Sequence, residues 1–361
     1  MTKILYAIQG TGNGHLSRAR DIIPLLQQKA EVDVLISGTQ ADVSLPYPVK
    51  YQLEGLSFIF GKKGGVDLQK TFQKSRIWQL MQEVRSLSLK EYDLVINDFE
   101  PVSAWAALLQ GKKCIGLSHQ SAVASKQAPK PSSPDFIGKL VLKYYAPAFK
   151  QYGFHFQKYT EQIFTPVIRQ QVRELYPEDH GHYTVYLPAY SDERIEKYLS
   201  TFPNTRWEVF SKHNTREYFM GNIHMMPIDN DRFVRSMASS TGVLCGAGFE
   251  TPAEALYLGK KLLAIPMKKQ YEQQCNAAAL EDMGIPIVPS LKKKYLPKIE
   301  NWLVQEQRVE VHYPNQTEFI LDEILTQHLP ESRQALTFPK GITGFITRKL
   351  AEMHLTVGRH Q

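Results

Sequence analysis

The chain has 361 residues, 43% of them hydrophobic and 22% charged, with three cysteines and a net charge of +7. A chain of that length holds about two domains with sizeable cores, and its composition excludes a disordered chain, a coiled coil and a collagen-like repeat. The charge excess is moderate and suits nucleic acid, anionic lipid or a phosphorylated ligand, so its position along the chain decides among them.

Short apolar runs alternate with helical patterns from the first residues onward. KILYAI (3–8) reads as a buried strand, and residues 16–29 as a helix with Ile22, Ile23, Leu25 and Leu26 on its inner face. VDVLIS (32–37) and DLVIN (93–97) are further strands, the second followed by a helix over 103–110 and a strand over 113–118. The rhythm breaks at AVASKQAPKPSSP (122–134), whose prolines and serines mark a loop. An amphipathic helix follows at 136–145, then an irregular or extended aromatic segment at 152–164. TVYLP (184–188) restarts the alternation, with a helix at 191–199, a strand at 207–210 and a helix at 232–238. Strands at 242–245 and 262–265 flank a helix at 252–258. Repeated strand–helix–strand units with β-rich apolar runs imply parallel sheets covered by helices on both faces. We therefore expect two Rossmann-like doubly wound domains, residues 1–165 and 166–361, facing a central cleft, with the boundary between 165 and 183. Ligands bind such sheets at the carboxyl ends of their strands.

Cys114, Cys245 and Cys275 are far apart and form no CxxC pair, which excludes a disulfide framework or a thiolate zinc site. The N-terminal apolar run is too short for a signal peptide, and no stretch approaches eighteen apolar residues. The expected location is the cytoplasm.

Gln9-Gly-Thr-Gly-Asn-Gly-His15 follows the first strand and opens the first helix. Glycines there let the backbone turn sharply and approach a ligand, and a helix N-terminus offers unpaired N–H groups to an anion. Gly12 and Gly14 are accordingly ligand-side candidates. A dinucleotide site fits poorly: the spacing is GxGxG and then His, and the second strand lacks the terminal acid that holds an NAD ribose. His15 is a candidate general base, with Asp98 or Glu100 in VINDFEP as the partner or the alternative base. His119 ends the next strand, on what would be the acceptor side.

The most informative stretch is GVLCGAGFETPAEALYLGKKLLAIPMKKQYEQQCNAAAL (242–280). Gly246-Ala-Gly248 ends a strand and opens a helix carrying Glu254, and a diphosphate can be held there without a metal. Phe249 and Glu250 belong to the same loop. Glu254 can accept two hydrogen bonds from ribose hydroxyls, and Glu272 and Gln273 suit sugar hydroxyls. This constellation resembles the donor-binding signature of GT-B glycosyltransferases, most of all the UDP-glycosyltransferases and the lipid II-forming N-acetylglucosaminyltransferases. Gly248 matches their loop glycine, Glu254 their ribose-binding acid, Gly259 the glycine five positions on, and Gln273 with Asn276 the closing Gln-x-x-Asn. GTGNGH likewise resembles the GTGGH loop of the lipid II enzymes, with His15 on their histidine. Arg169 in TPVIR resembles an arginine near their donor phosphates, with one residue inserted. The segment at 226–237 falls where that family reads uracil, which sets Ile228 near the base.

The resemblance implies a UDP-sugar co-substrate, no other cofactor, no metal and inversion at the anomeric carbon. It also implies a final helix, about 342–354, that packs back on the first domain. The same fold hosts UDP-sugar 2-epimerases and nucleotide-sugar hydrolases, and Gly14-His15-Leu-Ser-Arg18 resembles a GxGHxxR loop of the hydrolases. A non-catalytic nucleotide-sugar-binding protein is a further alternative. Asp229-Asn-Asp231 mimics a DxD metal motif but precedes a helix, so it reads as a cap.

Residues 1–165 carry 20 Lys and Arg against 13 Asp and Glu, whereas residues 166–361 carry 23 of each. The whole excess is therefore on the acceptor half. Lys126, Lys130, Lys139, Lys143, Lys150 and Lys158 interleave with aromatic and aliphatic residues there, and Lys62 and Lys63 suggest a basic loop nearby. Such a segment suits an anionic membrane surface or an anionic, lipid-linked or glycan acceptor, and no recognition motif accompanies it that would suit nucleic acid.

Overall fold

A computed structural model of the chain describes residues 2–38, 45–56, 74–133 and 135–329. Lys62, Lys63 and the helix expected at 342–354 lie outside the described residues. Seven strands form the first sheet: β1 (Lys3–Gln9), β2 (Glu31–Ser37), β3 (Tyr51–Leu53), β4 (Leu94–Asp98), β5 (Cys114–Ser118), β6 (Lys150–Phe154) and β7 (Ile163–Phe164). Their order is β3-β2-β1-β4-β5-β6-β7, and every pairing is parallel. Helices α1 (Asn13–Gln27), α2 (Lys74–Ser86), α3 (Pro101–Gln110), α4 (His119–Ala124) and α5 (Phe136–Tyr144) belong to this half.

The short helix α6 (Gln170–Arg173) leads to the second sheet. Its strands are β8 (His182–Tyr186), β9 (Arg206–Ser211), β10 (Tyr218–Met220), β11 (Ile223–Pro227), β12 (Gly242–Gly246) and β13 (Lys261–Ile265), in the order β10-β11-β9-β8-β12-β13. Only β10 runs antiparallel to its neighbour among these pairings. The accompanying helices are α7 (Asp192–Leu199), α8 (Asn230–Ser239), α9 (Glu250–Tyr257), α10 (Tyr271–Asp282), α11 (Leu296–Val304) and α12 (Thr317–His328). The fold is thus two parallel-sheet α/β domains, each with its own core. One core gathers Leu5, Leu35, Val95, Val102 and Ala106, and the other Val185, Trp207, Val209, Leu244 and Trp302.

Several details differ from the sequence reading. Leu25 is only half-buried, while Ile22, Ile23 and Leu26 are fully covered. The loop expected at 122–134 begins three residues later, because Ser118 caps α4 by accepting from the Ser121 N–H and the helix continues to Ala124. The aromatic segment at 152–164 takes the extended alternative at both ends, where the last residues of β6 and all of β7 extend the sheet through buried Tyr152, Phe154, Ile163 and Phe164. Helix α12 follows the second sheet in sequence yet packs against α1, where Lys29 pairs with Asp322 at 2.7 Å and Glu318 at 3.2 Å. Its far end is fixed by Tyr152, whose hydroxyl donates to Gln327 Oε1 at 2.7 Å and lies 2.9 Å from His328 Nε2.

Strand order positions the site. In the first sheet the order reverses between β1 and β4, and register pairs Ile8 with Asp98, so the loop after β1 and the end of β4 are neighbours. In the second sheet the reversal falls between β8 and β12, and Gly246 ends β12. Open α/β sheets bind ligands at such switch points.

Candidate active site

The first loop is built around a glycine that the backbone requires. Gly12 has φ 97°, a left-handed conformation that costs an L residue, and it stands at the N-cap of α1. Gly14 is the second residue of α1, so close to the second half that a Cβ there would come within 3.1 Å of Glu250 Cγ. The two glycine loops therefore face each other. His15 follows, with its Nδ1 2.8 Å from Asp98 Oδ1. A carboxylate can only accept, so Nδ1 carries the proton and Nε2 presents its lone pair. Gln120 faces that lone pair with its Nε2 3.3 Å away, and donates to Glu272 Oε2 at 3.0 Å.

Asp98 is completely buried at the end of β4. Burial works against its charge, but Arg18 and His15 together outweigh burial and hold the carboxyl below its usual range. Arg18 donates from one nitrogen to Asp98 Oδ1 and Oδ2 at 2.8 and 2.7 Å, and from another to Glu250 Oε1. Glu250, the first residue of α9, is pushed by burial up to about 7 against the opposing pull of Arg18, with Glu254 and Asp98 adding repulsion.

Glu100 is corrected from the base candidates. Phe99 adopts a left-handed φ of 55° and turns the chain, so Asp98 and Glu100 part company. Glu100 becomes the N-cap of α3, accepting from the N–H groups of Val102 and Ser103 at 2.7 and 2.6 Å and from Ser37 Oγ at 2.6 Å. Fully buried and fully engaged, it has no access to a substrate.

His119 is likewise corrected from an acceptor-side residue. It is 1% exposed, its Nδ1 donates to the Phe154 carbonyl at 2.8 Å, and its Nε2 lies 2.8 Å from Asn276 Oδ1. Its ring stacks on Phe249 with centroids 3.8 Å apart and planes 6° from parallel. Asn276 in turn donates to the Ala247 carbonyl at 3.1 Å. His119 is therefore a strut between the halves that fixes the second glycine loop.

In that second loop a Cβ on Gly248 would meet nothing within 4 Å, and one on Gly246 would meet only Gln273 Oε1 and the Ile265 carbonyl, both at 3.9 Å. The open space lies at the N-terminus of α9, whose N-cap makes no side-chain hydrogen bond. Gln273 Oε1 accepts from the Met267 N–H at 2.8 Å and so shapes the loop after β13. Glu254 is 2% exposed, and Arg169 closes on it with a bidentate pair at 2.5 and 2.8 Å, while also reaching Asn230 at 2.6 Å. Glu254 thus stands paired rather than open, and Arg169 is held at the flank of α9. Ile228 is 37% exposed at the end of β11, where its N–H donates to the Ser211 carbonyl. Asp229 caps α8 by accepting from the Arg232 N–H at 2.8 Å, as its position before a helix requires. Among the described residues, no group of three or more His, Cys, Asp or Glu side chains is arranged to hold a metal ion.

The structure thus brings together His15, Asp98, Gly14, Glu250 and Glu272 from two sheets. Two participants were missed in the sequence. Gln120 directly follows His119 at a strand end, and Arg18, noted only as part of a loop pattern, stands three positions after His15 and so shares its helix face.

Two parallel-sheet domains meeting at their switch points define the GT-B fold. The chain superposes on a UDP-glucosyltransferase from Polygonum tinctorium with a TM-score of 0.56 at 14% identity, covering 91% of this chain and 94% of that one. MurG from Acinetobacter baumannii gives 0.51 at 14% identity, covering 91% and 98%, and a UDP-N-acetylglucosamine 2-epimerase gives 0.52 at 13%, covering 94% and 99%. At such identities these likenesses speak for the fold alone. No curated protein matches the chain in sequence. The profile of glycosyl transferase family 1 matches residues 2–305, and the chain belongs to that family. It is a glycosyltransferase.

Proposed function

We propose that the protein transfers a sugar from a UDP-sugar to a hydroxyl of an anionic or lipid-linked acceptor, with inversion. The observation that carries this reading is the His15–Asp98 pair, set against the open N-terminus of α9. His15 Nε2 takes the proton of the acceptor hydroxyl, whose oxygen forms a bond to the anomeric carbon as the bond to the diphosphate breaks. Asp98 holds the imidazole in the productive tautomer and steadies the imidazolium that forms. The departing diphosphate carries away the electron pair, and the N–H groups at the starts of α9 and α1, with Arg169, meet its charge. Glu254 reaches the ribose once Arg169 turns from it to the diphosphate, and Glu272 and Gln273 read the sugar. Ile228 borders the base. This reading calls on no metal ion.

The acceptor side rests on α5. Phe136 is 74% exposed, and Ile137 and Leu140 are exposed beside it, with Lys139 and Lys143 on the same face. Gly138 of this helix lies against Tyr271, the neighbour of Glu272. An apolar ridge flanked by lysines beside the sugar-reading residues suits a lipid-linked acceptor at the anionic inner face of a membrane. Among the described residues no helix is long and apolar enough to cross a bilayer.

The test is turnover of UDP-sugars with candidate acceptors, offered free or in anionic and neutral vesicles, by wild type and His15→Ala. We expect acceptor-dependent UDP release that is faster with anionic vesicles and falls roughly 100-fold or more in the variant. Free sugar or an altered epimer from UDP-sugar alone would instead establish a hydrolase or epimerase. Wild-type turnover by His15→Ala would remove the base.

A further inference from the structure

We infer that Arg18 is a positioning residue: it keeps the His15–Asp98 pair ready to accept a proton and ties that pair to the donor-side loop through Glu250. The inference rests on the proposed role of His15. Its basis is a buried guanidinium used at two ends. Arg18 is 2% exposed and lies with its guanidinium carbon 5.6 Å from the centre of the Phe154 ring. Burying an arginine is costly unless its charge is matched and its N–H groups are engaged. Here the match comes from both halves of the molecule, from Asp98 on β4 and from Glu250 on α9.

Asp98 Oδ1 receives bonds from His15 and Arg18 together, so a protonated His15 would have to share the single Asp98 charge with Arg18. Arg18 also stands 3.3 Å from His15 Nδ1. The groups around His15 are Asp98 from β4, Arg18 on its own helix and Glu250 from α9. Glu272 of α10 lies behind Gln120, and Glu254, His119 and Tyr6 stand further out. Tyr6 is buried in β1 with an unpartnered hydroxyl. With Arg18 removed, this surrounding is acidic and holds an imidazolium in place, so the base stays loaded. With Arg18 present, the acid nearest the ring is already neutralised. A diphosphate arriving at the start of α9 competes with the Glu250 carboxylate. Arg18 touches both Glu250 and Asp98, and so carries that change to the base.

The discriminating measurement is kcat and kcat/KM against pH for wild type, Arg18→Gln, Arg18→Lys and His15→Ala. In Arg18→Gln the acid limb moves up by about one pH unit, so activity falls about tenfold on the acid side and largely returns at high pH. Arg18→Lys keeps a cation beside Asp98 and keeps the limb, but one ammonium cannot span Asp98 and Glu250, so the KM for the donor rises. A loss in Arg18→Gln that is equal at every pH overturns the inference, as does a shifted limb in Arg18→Lys. If the glutamine variant does not fold, the lysine variant decides: a retained limb with a raised donor KM supports the inference, and an unchanged KM refutes it. Wild-type activity in His15→Ala would defeat the role of His15 itself, a result separable from either.

Discussion

A methyl group would meet opposite receptions at Gly10 and Gly248, although each follows a strand at the switch point of its sheet and each leads into a helix. At Gly10 it would sit 2.9 Å from both the Gly38 carbonyl and Ile36 Cγ2, and 3.0 Å from the Ser37 carbonyl. At Gly248 it would meet nothing within 4 Å. The first loop is therefore closed against its own sheet at Gly10 and opens only at Gly12, where a Cβ would meet nothing within 4 Å, and most of its chemistry lies in side chains that are already placed, His15 above all. The second is held from behind by His119 and Asn276 and stays open in front. One loop fixes a reacting group, and the other leaves room for a ligand to approach its backbone.

The largest expected effect tests the closed loop. Gly10→Ala should cost about 1–3 kcal/mol, because two of the three close atoms are backbone and cannot swing away. A fall in melting temperature checks this, and a wild-type melting temperature would show that the loop yields. A smaller effect tests the open loop. Burial of most of its surface pushes Glu250 up to about 7, so it is mainly neutral below that pH and mainly anionic above it. An anion at the start of α9 repels a diphosphate, so the Kd for a UDP-sugar should rise a few-fold, about 0.5–1 kcal/mol, between pH 6 and pH 8. The diester keeps a constant charge over that window. Glu250→Gln should flatten the dependence, and a slope unchanged in that variant would take Glu250 out of the donor site.

Much of this was legible in the sequence, for physical reasons. Strands buried on both faces, such as β1 and β12, read as unbroken apolar runs, and the glycines that end them mark the turns. Strand β10 did not show: its three residues, Tyr218 to Met220, lie at a sheet edge with Phe219 72% exposed, and no alternation distinguishes them. The exchange of α12 onto the first domain is invisible too, because nothing local records which surface a helix will meet. At the site, His15 was found from the glycine loop that opens α1 and its resemblance to a GTGGH loop, and Asp98 from the end of its strand. Glu100 was misplaced because the choice between two acids in VINDFEP depends on the left-handed turn at Phe99, which residue type does not announce. His119 was misplaced because a histidine at a strand end looks the same whether it faces a substrate or the aromatic ring of Phe249.

The open second loop as the seat of the donor is tested most directly by calorimetric titration of UDP into wild type and Gly248→Ala. The alanine fits without strain, so the melting temperature should stay at the wild-type value, while its methyl group stands where the diphosphate approaches the backbone. UDP should bind wild type and bind the variant about tenfold more weakly, a difference of about 1.4 kcal/mol. Absence of UDP binding to wild type, or equal affinity in the two proteins, would contradict the assignment of the donor to this loop.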